Sequence, residues 1–206
     1  MNLQLLERLD EMRRQSNFLT VTELLSQEDN TFLDPFSTLI GSGVRLGAGN
    51  VFYPDVVVEQ RGVGTVQIGD GNLLYPNTFI LATSGAVMIG SHNQFGDGGC
   101  AVKLNGPSGE LRIGNRGRYT SSAELVGNST FGDGSQVVGR ITVIGCHLGA
   151  GEDHTYPDAD QRGAVLKGFG QARNLTLAQG QVVNGAGQFS DAPVEMQSKY
   201  HPKLSS

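Results

Sequence analysis

The chain has 206 residues, a formal net charge of -5, 30 glycines, two cysteines and no tryptophan. This length suffices for one domain with a sizeable core, and an apolar share of 38% with so small a net charge excludes intrinsic disorder. An acidic chain without a run of Lys or Arg predicts neither a nucleic-acid partner nor binding to an anionic membrane surface.

The first predicted elements are two N-terminal helices. Apolar residues recur at helical spacing over residues 2 to 15, namely at Leu3, Leu5, Leu6, Leu9 and Met12. The segment VTELLSQED predicts a second, short helix with Thr22 as its N-cap. Residues 1 to 38 therefore form an N-terminal helical segment, whose narrow apolar stripes are expected to cap the molecule or to contact another subunit.

The same N-terminal stretch bears on the cellular compartment. MNLQLLERLDEMRRQ mixes charges throughout and lacks the apolar region of a signal peptide, and no later segment has the length of a membrane span. Cys100 and Cys146 are isolated thiols, which favours a reducing compartment over a disulfide framework. These features predict a cytoplasmic protein.

From about residue 39 onwards, large apolar residues recur every six positions, which is neither helical spacing nor simple alternation. The series comprises Ile40, Leu46, Phe52, Val58, Ile68, Leu74, Ile80, Ile89, Phe95, Ile113, Tyr119, Leu125 and Phe131. The residue four positions after each is often small or polar, as at Asn50, Asn72 and Asn93. A unit of one strand and one corner explains both positions, because the large residue fills the interior and the small one fits where the chain bends.

Similar five-residue phrases mark successive coils of this repeat. LGAGN, IGDGN, IGSHN and FGDGS begin at Leu46, Ile68, Ile89 and Phe131. With Ile113 included, the spacings are 22, 21, 24 and 18 residues, each equal to three units of six plus a short insertion. The sequence therefore predicts a three-sided solenoid in which these five positions stack in one column.

The register after Phe131 is open to two interpretations. Strict continuation places Val137 and Val143 inside, whereas a slip of one residue places Val138 and Ile144 inside. We favour the slip, because it leaves His147 pointing outward. The polar insertion GEDHTYPDADQRG then interrupts the repeat. The six-residue period resumes after it, with the expected inward residues Val165, Leu177, Val183 and Phe189 and with Gln171 as an exception.

The IGDGN and FGDGS phrases resemble the hexapeptide repeats of left-handed parallel β-helix proteins, and the resemblance covers residues 39 to 189. It implies an all-β solenoid, a left-handed parallel β-helix, with the N-terminal helices before it and a short C-terminal tail after it. We accordingly place the β-helix at residues 39 to 190, with a loop insertion at 150 to 163. The tail, residues 191 to 206, is expected to be peripheral, with a short helix around Glu195 to Lys199.

The resemblance also implies an activity, because many hexapeptide-repeat proteins are acyltransferases that use acetyl-CoA or another acyl-CoA. Such enzymes are typically homotrimers with no metal, and an outward histidine acts as the general base toward a small polar acceptor. His147 is the first candidate for this base and His154 the second. Glu152 or Asp153 would orient the imidazole, which would fix its tautomer.

The same comparison assigns a cofactor-binding role to basic residues in or after the loop. Arg162, Lys167 and Arg173 are expected to meet the phosphates of coenzyme A. One departure is that many of these enzymes close their helix with a Gly-x-Pro-Ala-Lys/Arg phrase. The matching segment here, VVNGAGQF, has neither the proline nor the basic residue.

Two other functions remain open at this point. The I-G-x-x-N corners and the polar end with Tyr200 and His201 resemble the small β-helical subunits of dynactin, which implies a non-catalytic assembly module. A γ-class carbonic anhydrase resembles the chain in length and repeat but requires three histidines around zinc. The chain offers His92, His147 and His154 for that role, at spacings that do not match the family.

Overall fold

The computed structural model of the chain describes residues 3 to 106 and 109 to 201. Within these ranges, two helices, α1 (Leu3–Gln15) and α2 (Val21–Leu25), precede a long series of short strands. Three short 3-10 helices, Ala159–Gln161, Phe189–Asp191 and Gln197–Lys199, lie near the C-terminus. The strands are β1 (Thr31–Phe32), β2 (Leu39–Ile40), β3 (Arg45–Leu46), β4 (Val51–Phe52), β5 (Val57–Gln60), β6 (Thr65–Ile68), β7 (Leu73–Leu74), β8 (Thr78–Ala82), β9 (Ala86–Ile89), β10 (Gln94–Gly96), β11 (Cys100–Leu104), β12 (Glu110–Ile113), β13 (Arg118–Thr120), β14 (Ala123–Val126), β15 (Thr130–Phe131), β16 (Gln136–Val138), β17 (Ile141–Ile144), β18 (His147–Leu148), β19 (Val165–Arg173), β20 (Thr176–Leu177), β21 (Gln181–Gln188) and β22 (Val194–Met196).

The strands form three faces, which the chain visits in turn. Face 1 contains β1, β4, β7, β10, β13, β16, the start of β19 and β21; face 2 contains β2, β5, β8, β11, β14, β17 and the end of β19; face 3 contains β3, β6, β9, β12, β15, β18 and β20. From β1 to β18, each strand pairs in parallel with strands three places away in this order. β19 continues around a corner from face 1 to face 2, so β17 pairs with β19, β18 with β20 and β19 with β21. The architecture is a parallel β-solenoid that fits the predicted all-β left-handed β-helix.

The interior is built from stacked columns of the predicted large residues. On face 3, Leu46 pairs with Ile68, Ile68 with Ile89, Ile89 with Ile113, and Ile113 with Phe131. The predicted column is therefore confirmed. Burial of each such side chain stabilises the fold by about 1.5–3 kcal/mol, so the columns are the main source of cohesion between coils.

A ladder of buried asparagines lines the interior corner between faces 3 and 1. The side-chain oxygen of Asn50 accepts hydrogen bonds from the backbone N–H and the amide of Asn72, both at 2.9 Å. The oxygen of Asn72 accepts from the N–H of Asn93, and that of Asn93 from the N–H of Gly117. The ladder ends there, because the hydroxyl of Tyr119 fills the next place and contacts Ser135 Oγ at 3.1 Å.

The register after Phe131 corrects the sequence interpretation. Val137 and Val143 are fully buried, so strict continuation is right and the favoured slip to Val138 and Ile144 is wrong. The repeat becomes one residue shorter at the next corner, because Leu148 follows Val143 by five residues instead of six and pairs with Phe131. The five-residue corner is closed by Gly145 in the left-handed region, with a φ of 63°.

The coil after the loop repeats this shortened corner and also corrects the expected inward residues. Leu166 and Ala172 are fully buried where Val165 and Gln171 were the expected positions, and Leu177 follows Ala172 by five residues. Asn174, with a φ of 51°, occupies the corner and stacks on Gly145, where an added Cβ would lie 2.5 Å from its Oδ1 atom.

The N-terminal helices depart from expectation in two respects. Thr20, not Thr22, is the N-cap of α2, and it forms a reciprocal capping box with Glu23. The hydroxyl of Thr22 instead donates to Asp10 of α1 at 2.6 Å, which ties the two helices together. Leu3, Leu5 and Met12 of the apolar stripe stay exposed. None of the described helices is long and apolar enough to cross a membrane.

Candidate functional site

The insertion predicted at residues 150 to 163 leaves the solenoid after β18 on face 3 and returns at β19 on face 1. Its neck is closed by a parallel bridge between Glu152 and Arg162, and the N–H of Gly163 donates to the carbonyl of Glu152 at 2.9 Å. Within the loop, Asp153 Oδ1 accepts hydrogen bonds from the backbone N–H and the hydroxyl of Thr155. The loop is thus held by its own hydrogen bonds.

The C-terminal segment packs on this loop. β22 pairs antiparallel with β21, and the 3-10 helix Gln197–Lys199 follows, so the expected short helix includes residues 197 to 199 but not Glu195. Gln197 is buried, and its amide donates to the carbonyl of Gly163 at 2.8 Å. The N–H of Ser198 donates to Asp160 at the same distance. Residues 194 to 201 of the tail are therefore part of the structure around the loop, and the rest of the expected tail, residues 202 to 206, lies outside the described residues.

Loop and tail together wall a cavity of about 310 Å³ on face 1, which we call the basic cavity. It is lined by Arg118, Gln136, Val138, His154, Arg162, Val165, Lys167, Val182, Asn184, Gln197, Tyr200 and His201. No acidic side chain occurs among these lining residues. Within the described chain, Arg118, Arg162 and Lys167 form no ion pair shorter than 4.0 Å. The cavity therefore presents three cationic groups to a ligand without a competing carboxylate.

His154 lies on the wall of this cavity in a setting that favours its neutral form. Burial lowers the pKa of the imidazole below its usual value, and the positive charges of Arg118 and Arg162 lower it further. The negative charge of Asp153 opposes this shift. A neutral imidazole has one nitrogen free to accept a proton, so His154 can act as a base near neutral pH.

The two carboxylates expected to orient the imidazole do not contact it directly. Asp153 is occupied by Thr155, whose hydrogen bonds lower the pKa of the carboxyl group. Glu152 is exposed at the neck of the loop. Asp153 thus acts on His154 through its charge, and the described hydrogen bonds of the loop give Glu152 no contact with the imidazole.

The structure brings together only some of the residues that the sequence singled out. His154, Arg162 and Lys167 share the basic cavity. His147 is exposed on face 3, between the neighbouring strand residues Thr130 and Thr176. Arg173 lies at the end of β19 on face 2, where its Nε atom donates to Gln171 at 2.8 Å.

Two groups of cavity residues escaped the sequence analysis. Arg118 precedes the inward Tyr119 on β13, and this outward position of the repeat is the signal that could have identified it. Tyr200 and His201 come from the tail, whose return to face 1 no periodicity predicts.

The three histidines considered for zinc do not meet. His92 and His154 line one cavity on face 1, whereas His147 lies on face 3. Among the described residues, no group of three or more His, Cys, Asp or Glu side chains could hold a metal ion.

Fold and site together define the class: a parallel β-solenoid protein with a cationic cavity at its C-terminal coils. No family model and no curated protein matches the chain. Among solved structures, the chain is similar to LpxA from Acinetobacter baumannii, with 13% sequence identity and a TM-score of 0.33. That match covers 87% of this chain and 78% of the other. A similarity at this level does not bear on the function of the chain.

Proposed function

We propose that the protein is an acyltransferase that moves an acyl group, with acetyl as the first choice, from coenzyme A to a hydroxyl or amine of a small polar acceptor. The observation that carries the proposal is the position of His154, whose pKa is lowered, on the wall of a cavity lined by three cationic side chains that form no ion pair among the described residues. The repeat fold agrees with the resemblance seen in the sequence, but fold alone does not define an activity.

The donor would occupy the basic cavity through its phosphates. Arg118, Arg162 and Lys167 come from β13, the loop and β19, so three separate segments of the chain supply the cations of this cavity. Arginine side chains bind phosphate oxygens with two parallel hydrogen bonds, and lysine adds a point charge. This combination suits a polyanionic ligand such as coenzyme A.

The chemical step requires a base at the thioester. The acceptor oxygen or nitrogen would attack the thioester carbonyl and form the new bond to its carbon, while His154 takes the proton of the acceptor. The tetrahedral adduct would then break its C–S bond, and the imidazolium would return the proton to the departing thiolate. The products would be the acylated acceptor and free coenzyme A, with the imidazole neutral again.

We favour His154 over His147 as this base because of their surroundings. His147 lies on face 3 and is absent from the lining of the basic cavity, whereas His154 lines it together with Arg118 and Arg162. A homotrimer and a cytoplasmic location, which the sequence analysis predicted, remain part of the proposal. Light scattering of the purified protein tests the first, with three times the mass of the chain as the expected result.

Acetyl-CoA binding is the primary test. Calorimetry and thermal shift are expected to detect binding that weakens with added salt, because phosphate contacts are ionic. Arg118→Gln is expected to reduce affinity by about tenfold, as loss of one charge-assisted contact costs about 1.4 kcal/mol. Arg140→Gln is the matched control, since Arg140 is exposed and lies outside the cavity.

The histidine variants separate binding from chemistry. His154→Asn is expected to keep acetyl-CoA binding and to lose release of free thiol in the presence of an acceptor, whereas His147→Asn is expected to keep both. The reverse pattern would make His147 the base. If the wild-type protein binds no acetyl-CoA, the acyltransferase proposal fails and the assembly module remains.

A further inference from the structure

A second cavity, of about 350 Å³, lies on face 1 next to the basic cavity, and His154 lines both. We call it the neighbouring cavity; it is lined by Gly71, Leu73, His92, Asn93, Gln94, Arg116, Gly117, Asp153, His154 and Thr155. One imidazole therefore faces two separate spaces. A transferase needs this arrangement, since its base must reach the acceptor atom and the acyl donor together.

Two strained corner residues project into the neighbouring cavity. At this corner, the residue before the inward small position (Asn50, Asn72, Asn93, Gly117 and Ser135) adopts a positive φ, and in five successive coils it is Gly49, Gly71, His92, Arg116 and Gly134. His92 and Arg116 thus occupy a conformation that glycine adopts in the other three coils, with φ values of 60° and 54°. Such strain costs about 1–2 kcal/mol per residue, and it is typical of functional sites.

The position of Gly71 supports a specific placement of His92. A Cβ atom added to Gly71 would lie 2.5 Å from Nδ1 of His92, so the imidazole rests against the glycine backbone. Arg116 lies one coil further, and its N–H donates to the carbonyl of Ser91 at 2.9 Å. Both exceptions to glycine occur in coils that line this cavity together with residues 153 to 155 of the loop.

The charges of this cavity indicate what it can bind. Its one carboxylate, Asp153, already accepts two hydrogen bonds from Thr155. Arg116 is exposed and forms no ion pair shorter than 4.0 Å within the described chain. Besides the hydrogen bonds from Thr155, its positive charge also lowers the pKa of Asp153 across the cavity without a direct ion pair, so its guanidinium hydrogen bonds are available to an anionic group. Gln94 offers an amide and Leu73 an apolar wall.

We infer that the neighbouring cavity is the acceptor site, and that the acceptor is a small hydroxyl- or amine-bearing molecule with a carboxylate or phosphate that binds Arg116 beside His92. This inference rests on the proposed acyl transfer. The acidic group would hold the acceptor at the corner, with its hydroxyl or amine toward His154. Proton and acyl group then move as described for the transfer step.

The test uses probes that do not require the natural acceptor. Saturation-transfer NMR would measure binding of glycerol, glycerate and glycerol 3-phosphate to the protein saturated with coenzyme A, which fills the basic cavity. Glycerate or glycerol 3-phosphate is expected to bind, and glycerol is not. Arg116→Gln is expected to weaken that binding at least tenfold, and the exposed control Arg140→Gln is expected to leave it unchanged.

The possible failures are distinguishable. If coenzyme A binds but neither anion does, or if Arg116→Gln leaves anion binding intact, the acceptor assignment is overturned and the acyl-donor site stands. Glycerol binding as tightly as the anions would also overturn it. If coenzyme A does not bind, the proposed function fails, and the acceptor assignment fails with it. Tighter binding of glycerate than of glycerol 3-phosphate would identify the acidic group as a carboxylate.

Discussion

The N-terminal and C-terminal coils of the same solenoid use their interior corners differently. From Asn50 to Asn93, each corner is filled by an asparagine that bonds to the next coil. After Gly117 the ladder gives way to Tyr119 and Ser135. The corner between faces 2 and 3 also shortens to five residues in the later coils, and the chain inserts its long loop. The basic cavity belongs to this second, irregular region.

This difference has a physical basis. Each coil of a solenoid contacts only its neighbours, so a departure from the repeat in one coil leaves distant coils unchanged. The asparagine ladder satisfies buried backbone groups of the neighbouring coil along the regular part of the solenoid. The later coils lack this ladder, and the loop and the basic cavity lie there.

The largest expected effect is the loss of one member of the ladder. Asn72→Ala removes the partner of the Asn93 N–H and of the Gly90 carbonyl, which are held at 2.9 and 3.0 Å. Buried polar groups without partners cost about 1–3 kcal/mol each, so the free energy of unfolding should fall by about 3–5 kcal/mol. Urea denaturation measures this loss, with Asn105→Ala in an exposed turn as the control. A loss below about 1 kcal/mol would show that the ladder does not hold these coils together.

A smaller effect is expected where the ladder ends. A Cβ atom at Gly117 would lie 2.4 Å from the Tyr119 hydroxyl oxygen, so Gly117→Asn should destabilise the fold by about 1–3 kcal/mol through overpacking. Tyr119→Leu removes the hydroxyl and opens the space for an asparagine. The double variant should therefore be more stable than the sum of the single effects predicts.

A double-mutant cycle measured by urea denaturation gives the coupling free energy between these two positions. A favourable coupling of about 1 kcal/mol or more would show that the ladder can be extended by one coil. Additive effects would show that something other than Tyr119 ends it.

The smallest expected effect is a change in the titration of His154 that leaves stability nearly unaltered. NMR of the imidazole should give a pKa below the usual histidine value, so the base form persists to lower pH than for a histidine without these neighbours. Arg118→Gln should raise this pKa, because it removes a positive charge, and Asp153→Asn should lower it. Acyl transfer should accordingly fall only when the pH drops below the pKa of His154. A His154 pKa that both substitutions leave unchanged would place these charges too far away to act.

Much of the fold followed from the repeat. The column from Leu46 to Phe131 was predictable, because an inward residue at every sixth position can be buried only by stacking. The register after Phe131 was not, since Val137 and Val138 are both apolar and only pairing with Tyr119 distinguishes them. Of the site, the sequence indicated the loop, His154, Arg162 and Lys167.

The sequence by itself determined the solenoid, its coils and the place where the chain leaves it. Tertiary structure alone decided that the loop and the tail both fold back on face 1, and that Arg118 meets His154 there while His147 faces elsewhere. The physical reason is that the repeat is a local pattern of inward and outward residues. The direction of a polar insertion depends on hydrogen bonds to distant segments, such as that from Gln197 to Gly163, which no local pattern records.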